Sequence, residues 1–370
     1  MIKTNDPFLP PNGIPVISVT QRTLAAAYED ALVGLHNMGM PFKTQYDKPG
    51  DPPSLDCTAN ITVLEPLSDP MIHKAFPGGP GDLMEYVMEL EGVKDDWVKD
   101  ILDPEDTRWE YTYHGRLANY GGVNMGGVMT TLFKPINQVE WLCKKLSGSP
   151  FTRQAQMITW IPMLDTECYD PPCIQSLWYR LTDVPDGGYA LNCNVRIRSN
   201  DAWGANFMNM FGFTMFNKEV VAAAIENQTG KKVTLGRMNW QADSFHVYGK
   251  DLEAFHKRLI DRLELPFSQR TMCFSDPDVR GAYDEAADCV RVKLEQYRRD
   301  REAQEAAKPV RTVRACPVCG RVCPVHCWHD ARKVPTVEMP VRKARELLLN
   351  LWDGLQEELG TVMDHLKKCY

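Results

Sequence analysis

No stretch of the chain approaches the roughly 20 consecutive apolar residues that a membrane-spanning helix needs. The N-terminus, MIKTNDPFLPPNG, has no apolar core of the kind a secretory leader carries, so the expected compartment is the cytoplasm. Positive charge is in deficit. With 42 Lys and Arg against 49 Asp and Glu, the net charge is −7. That balance excludes a protein that binds nucleic acid over its whole surface. Internal repeats are absent, and strands and helices do not alternate in the regular order of a doubly wound sheet. Apolar residues are not lacking. A composition of 44% hydrophobic and 25% charged residues is that of an ordinary globular chain. A length of 370 residues suffices for one large domain with an appendage.

Cysteine is plentiful, at twelve. A secreted disulfide scaffold is nevertheless excluded by the length of the chain and the missing leader, and reduced thiols are expected. Five of them, Cys57, Cys143, Cys168, Cys193 and Cys289, sit in plain sequence and read as core filler.

Residues 1–20 are punctuated by Pro and Gly and read as an extended arm. TLAAAYEDALVGLH (23–36) has the apolar spacing of an amphipathic helix. KPGDPPS (48–54) is a loop, and 55–68 alternates as a strand does. A helical pattern returns over 82–101, with Glu85 and Glu89 four residues apart on one face; Glu89 and Glu91 read as solvated. Residues 150–200 are strand-rich, with a hairpin turn in DVPDGG (183–188). FMNMFGFTMFNKEVVAAAIENQ (207–228) is a mainly apolar helix, a further strand pair follows, and another helix covers about 251–264. The mixture predicts an α+β fold, a mixed sheet with packed helices. Beyond about 282 the chain becomes charged and helix-prone, which marks a boundary.

Cys173 is the candidate nucleophile. It lies in PPCIQSLW after the apolar stretch MITWIPML, upstream of RIRSND (196–201) and FHVY (245–248). A thiol that attacks carbon must ionise, so it needs cationic or hydrogen-bonding company, which Arg198 and Ser199 could give. His246 and Tyr248 alternate along a strand and so share a face. A lone cysteine after two prolines is more often a small buried apolar residue. The order and spacing of the three segments together raise the catalytic reading.

That order resembles the thymidylate synthase superfamily, which includes the pyrimidine nucleotide hydroxymethylases of phages. The resemblance covers roughly residues 54–262. PPC (171–173) is similar to the family's nucleophile motif, with Arg153 and Trp160 upstream. RSND (198–201) resembles the phosphate-binding Arg and Ser followed by a structural Asp, here Arg198, Ser199 and Asp201. Asn209 falls where the family reads the pyrimidine edge, and HVY (246–248) resembles the segment whose His and Tyr bind the sugar. EYVMELEG (85–92) is similar to the catalytic-glutamate helix and makes Glu85 that residue; LANYG (117–121) makes Tyr120 the active-site tyrosine. There are departures. Ile174 and Trp178 replace the usual His and Gln, and Gln154 replaces the second of two adjacent arginines. The N-terminal arginine loop has no counterpart beyond Lys43 or Lys48. The short closing tail is replaced by more than a hundred residues after Tyr248.

The resemblance implies a thymidylate-synthase-like catalytic domain over 1–282 and a C-terminal extension over 283–370. It implies one-carbon transfer from 5,10-methylenetetrahydrofolate to C5 of a pyrimidine deoxynucleoside monophosphate, in a homodimer completed by Arg153 of the other subunit. The missing tail and the RSND and HVY segments favour water capture, hence a dUMP hydroxymethylase of a DNA-modifying phage. Thymidylate synthase is the second reading and dCMP hydroxymethylase the third; Asn209, a donor and acceptor at once, favours uracil. A non-enzymatic zinc- and nucleotide-binding protein is the reading from another class.

ACPVCGRVCPVHCWH (315–329) packs Cys316, Cys319, Cys323, His326, Cys327 and His329 together. A Cys-x2-Cys pair followed by Gly320 is half of a zinc site, and two of the later residues would complete a structural Zn2+. The alternative is a cluster of buried or redox thiols. Arg311, Arg314, Arg321, Arg332 and Lys333 make this knob basic; DNA contact is a possible use, a solvated face the ordinary one. Residues 341–368 carry Leu347, Leu348, Leu351, Trp352, Leu355, Leu359, Val362 and Leu366 on helical spacing, an amphipathic helix for docking on the body or on a partner.

Overall fold

Two β–α–β crossovers build the main sheet. In this computed structural model the described residues are 13–101, 103, 106–125, 128–307, 312–315 and 337–340. The strands are β1 (Val16–Gln21), β2 (Met40–Phe42), β3 (Ser54–Val63), β4 (Ile72–His73), β5 (Tyr120–Met125), β6 (Val128–Ile136), β7 (Gln156–Ile158), β8 (Ile174–Asp183), β9 (Tyr189–Asp201) and β10 (Val233–Val247). The main sheet runs β1-β3-β10-β9-β8-β7, with β2 paired to β3. β1 and β3 are parallel across helix α1 (Leu24–Met38), and β9 and β10 are parallel across the long apolar helical segment. The other neighbouring pairs on that path are antiparallel, so the sheet is mixed and the fold α+β.

Local sequence explains most element ends. Thr23 caps α1, its Oγ1 accepting from Ala26 N–H. Helix α2 (Pro80–Leu90) starts at a proline, with Asp82 accepting from the Gly79 N–H at 2.8 Å. It ends before Gly92, whose φ of 95° leaves the helical region. The helix expected over 82–101 therefore stops at Leu90, and a 3₁₀ turn at Asp95–Trp97 follows. α3 (Tyr113–Ala118), α4 (Gln138–Gly148) and α5 (Pro162–Asp165) come next. Within MITWIPML only the first residues are strand, because Pro162 opens α5. The apolar segment forms α6 (Asn206–Phe216), a π-helical turn (Asn217–Ala222) and α7 (Ala223–Thr229). Every residue of α6 except Met208 is buried, which makes it the centre of the core.

The described residues form two units. The first takes those up to Trp97, Glu110–Tyr120 and Asn137–Arg291; the second takes Val98–Trp109, Gly121–Ile136 and those from Val292 on. The first holds the main sheet and α1 to α7. In the second, β5 and β6 form a two-stranded sheet, and Asn124 Nδ2 donates to Val98 O at 2.8 Å. A charged helix (Pro277–Ala307) occupies the region after 282. The Cys/His knob and the amphipathic segment 341–368 lie outside the described residues. Among the described residues no helix is long and apolar enough to cross a membrane.

Four expectations are corrected. The arm over 1–20 is strand from Val16, paired to β3. Glu89 is not a solvated residue, since it joins Glu85 around Lys94. Cys289 is exposed rather than core filler, and Cys168 is half-buried; Cys57, Cys143 and Cys193 are buried as expected. The strand pair expected before HVY is one strand, the fifteen residues of β10.

Candidate active site

Cys173 sits immediately before β8. Because Ile174 pairs with Ile197, the cysteine lies alongside Arg198 on β9. Arg198 holds the cysteine loop with its backbone and its guanidinium. Its N–H donates to Cys173 O at 2.9 Å, Nε donates to Pro172 O at 3.1 Å, and a terminal nitrogen donates to Pro171 O. Two tyrosines support the loop from below. Cys173 N–H donates to Tyr111 Oη at 3.4 Å and Ile174 N–H donates to Tyr113 Oη at 3.1 Å. Burial pushes the Cys173 thiol above its ordinary pKa; Arg198 pulls it down and Asp170 pushes it up. Asp170 stands 4.0 Å from the Arg198 guanidinium. The resting group is thus a thiol poised beside a cation.

Asn209, on the first turn of α6, is almost wholly buried. The Tyr86 hydroxyl donates to its Oδ1. Tyr86 follows Glu85 on α2, and burial, with smaller contributions from the Tyr113, Glu89 and Cys173 charges, raises its pKa. Glu85 accepts from Lys94 Nζ at 2.8 Å, and Glu89 lies 3.5 Å from the same nitrogen. Lys94 is buried, with its ammonium 5.1 Å from the centre of the Trp97 ring. Burial raises the Glu89 carboxyl above its ordinary value, with Lys94 opposing and Glu85 adding to the rise.

His246 is held by a relay. Ser244 Oγ donates to Asp56 Oδ2 at 2.7 Å and lies 3.0 Å from His246 Nδ1. A hydroxyl has one proton, and a carboxylate can only accept it. Toward His246 the serine oxygen therefore accepts, which puts the imidazole proton on Nδ1 and leaves Nε2 as an acceptor. Burial lowers the His246 pKa, which favours this neutral form, and burial raises that of Asp56. His246 Nε2 is buried with no partner among the described residues. Such an atom suits a ligand hydroxyl. Tyr248 stacks edge-on to His246, 4.7 Å between ring centres, and Tyr46 approaches Tyr248 from the loop after β2. Burial raises the Tyr248 pKa, and Asp201, Tyr46 and Cys173 add to the rise.

The remaining predicted residues have other settings. Asp201 Oδ1 accepts from the N–H groups of Trp203 and Gly204, a turn that leads into α6. Ser199 is half-buried on β9 opposite Ser244. The Tyr120 hydroxyl donates to Trp160 O at 2.7 Å. Beside it, Arg116 makes a buried two-pronged pair with Asp165, at 2.9 and 2.7 Å. Arg153 is exposed, and its carbonyl accepts from the Trp178 indole at 3.0 Å. Lys43 Nζ donates to Asp51 O, while Lys48 is exposed. Cys316, Cys319, Cys323, His326, Cys327 and His329 lie outside the described residues. Among the described residues no three metal-ligating side chains come together.

Sequence reasoning missed Asp56, Tyr86, Lys94, Tyr111, Tyr113 and Ser244. Tyr86 and Ser244 were each one or two residues from a singled-out residue. A register for β3 against β10 would have found Asp56, since His246 is its direct neighbour.

A family model described as "Thymidylate synthase" matches residues 91–307, more than half of the chain. Several relatives are each named "Putative thymidylate synthase". That of Methanosarcina barkeri is 27% identical over 158 residues, 42% of this chain and 62% of the relative. That of Methanopyrus kandleri is 31% identical over 179 residues, covering 48% and 74%. That of Methanocaldococcus jannaschii is 26% identical over 245 residues, covering 63% and 91%. The chain thus spans less than two thirds of the first of these relatives.

Proposed function

The chain belongs to the thymidylate synthase family, and from that premise we propose that it transfers a one-carbon unit from 5,10-methylenetetrahydrofolate to C5 of dUMP. The observation that carries this reading is the setting of Cys173. Its loop is held by the Arg198 guanidinium, Tyr86 donates to Asn209, and burial first and the Cys173 charge after it raise the pKa of both Tyr86 and Tyr248.

In this reading Arg198 and Ser199 take the phosphate, His246 Nε2 and Tyr248 take the sugar hydroxyl, and Asn209 takes the base. Asp201 shapes the turn beneath them. The Cys173 thiolate adds at C6, and the electron pair moves through C5 to O4. Asn209 Nδ2 donates to the oxygen as its charge grows, a contribution of about 100- to 1000-fold in rate for one well-placed donor. C5 thereby becomes nucleophilic. Bound methylenetetrahydrofolate supplies the one-carbon unit, and for methylation the hydride as well. Glu85, Lys94 and Trp97 offer carboxylate, ammonium and indole, a donor set that fits a heteroaromatic ring with a hydrogen-bonding edge. Tyr120 assists removal of the C5 proton, Glu85 organises water and moves protons, and Cys173 leaves as the C5–C6 double bond returns.

The product is proposed to be 5-hydroxymethyl-dUMP. The RSND and HVY segments support this, because they resemble those of the hydroxymethylases, whereas hydride transfer requires water to be excluded. The names of the relatives favour the second reading, methylation to thymidylate. Incubating the protein with dUMP and methylenetetrahydrofolate separates the two. Water capture yields a product with one more oxygen and no rise in dihydrofolate absorbance. A thymidylate-mass product with stoichiometric dihydrofolate selects methylation, and no product with dUMP rejects the function.

The exposed Arg153 suits completion of a partner's phosphate site in a homodimer. The Cys/His knob is proposed to hold one structural zinc through Cys316, Cys319 and two later ligands.

A further inference from the structure

We propose that Tyr86 is a positioning residue that sets which pyrimidine the site accepts, by holding the Asn209 side-chain amide in one orientation. This rests on the reading of Asn209 as the residue that meets the base.

An asparagine amide carries an acceptor at one end and a donor at the other, and a half-turn about its last torsion exchanges them. Little in the asparagine itself prefers either orientation. Here its Oδ1 receives the Tyr86 hydroxyl, while Nδ2 has no partner among the described residues. The group left to meet a base is therefore the donor. Uracil offers a carbonyl at position 4, which accepts from it. Cytosine offers an amine there, and donor would face donor.

The tyrosine is itself held firmly. Its ring lies over Gly212 of α6, where an added Cβ would sit 2.5 Å from a ring carbon. Asn209 and Gly212 are three residues apart on one helix and so share a face. The absence of a side chain at 212 lets α2 come close enough for the hydroxyl to reach Asn209. On α2, Tyr86 directly follows Glu85, which places base selection and the proposed proton-handling carboxylate on the same turn. The Asn209 main chain is fixed as well, its N–H donating to Ala205 O at 3.0 Å. Only the side-chain orientation remains to be set, and the Tyr86 proton sets it.

The test is Tyr86→Phe, which keeps the ring over Gly212 and removes only the hydroxyl. Selectivity is read as the ratio of kcat/KM for dUMP to that for dCMP, with the same ratio of dissociation constants from calorimetry. One buried hydrogen-bond mismatch corresponds to a preference of roughly 5- to 150-fold. Tyr86→Phe is expected to lower the ratio at least about fivefold, through a relative gain on dCMP. In an Asn209→Asp background the same change should move the ratio less than about twofold, because the two oxygens of a carboxylate are equivalent and no orientation remains to be set. Equal losses on both nucleotides would make Tyr86 a packing residue and overturn the proposal, as would the same change in ratio in both backgrounds. A wild-type chain that binds dUMP selectively but turns neither nucleotide over would overturn the proposed reaction while leaving the binding ratio to decide the role of Tyr86. A chain that binds neither overturns both.

Discussion

Arg116→Met probes the support beneath Tyr120 and Trp160. Arg116 and Asp165 are both buried. The guanidinium makes two bonds to the carboxylate, at 2.9 and 2.7 Å, and a third to Thr159 O at 3.0 Å. Asp165 also accepts from the Ile161 N–H at 2.6 Å. Methionine replaces most of the arginine volume but none of its donors, so the carboxylate keeps one backbone partner in a dry site. Breaking one side of a buried ion pair costs about 3–5 kcal/mol. For a protein of this size that corresponds to a fall in Tm of about 4–6 °C. Replacing both members, Arg116→Met with Asp165→Leu, removes the stranded charge and should restore most of the loss. Calorimetry and urea unfolding of the two single variants and the double variant measure the coupling directly. The segment from Thr159 to Asp165 carries Trp160, on whose carbonyl the Tyr120 hydroxyl rests, so kcat should fall in Arg116→Met as well. A loss below about 1 kcal/mol in the single variant, or a double variant worse than the sum of the singles, would refute this account.

Cys173→Ala should abolish turnover while dUMP still binds, and mixing it with inactive Arg153→Ala should restore part of the activity if the phosphate site is shared between subunits; turnover in the alanine variant would end the nucleophile assignment. Asp170→Asn should shift the pH dependence of Cys173 alkylation to lower pH, because Asp170 raises the thiol pKa and its removal lets the thiolate form earlier, while Arg198→Gln should shift it the other way; shifts of the same sign would disprove the electrostatic account. Ser244→Ala should raise the dUMP KM more than it lowers kcat, since it frees the His246 tautomer, and an unchanged KM would remove the relay from sugar binding. Metal analysis of protein purified under reducing conditions should give about one zinc per chain, and a metal-free chain would disprove the knob as a zinc site.

Much of the fold was legible because local rules produce it. Thr23 before an apolar repeat marks α1, alternation marks β8 and β9, and DVPDGG marks the hairpin between them. The end of α2 was misjudged because the apolar pattern continues past Leu90, while the positive φ at Gly92 is a backbone property that periodicity does not register. Cys173 and Arg198 could be paired by motif order, yet their actual contact runs through main-chain atoms that no residue pattern reveals.

By itself the sequence determined the chemical inventory: a cysteine after two prolines, an Arg-Ser-Asn-Asp run, a His and a Tyr on one face of a strand end, and an asparagine on an apolar helix. Only the tertiary structure decided how those groups are tuned. Asp56 and His246 are far apart in the chain and meet because β3 and β10 pair antiparallel, with an irregularity between Ala242 and Phe245 resetting the register. Tyr86 reaches Asn209 because α2 and α6 approach at Gly212. Side-chain period says which face a residue occupies, but not which strand or helix lies opposite, nor at what offset. A tautomer, an amide orientation and a thiol pKa all depend on that offset to within a hydrogen-bond length, so they are set by packing across distant segments.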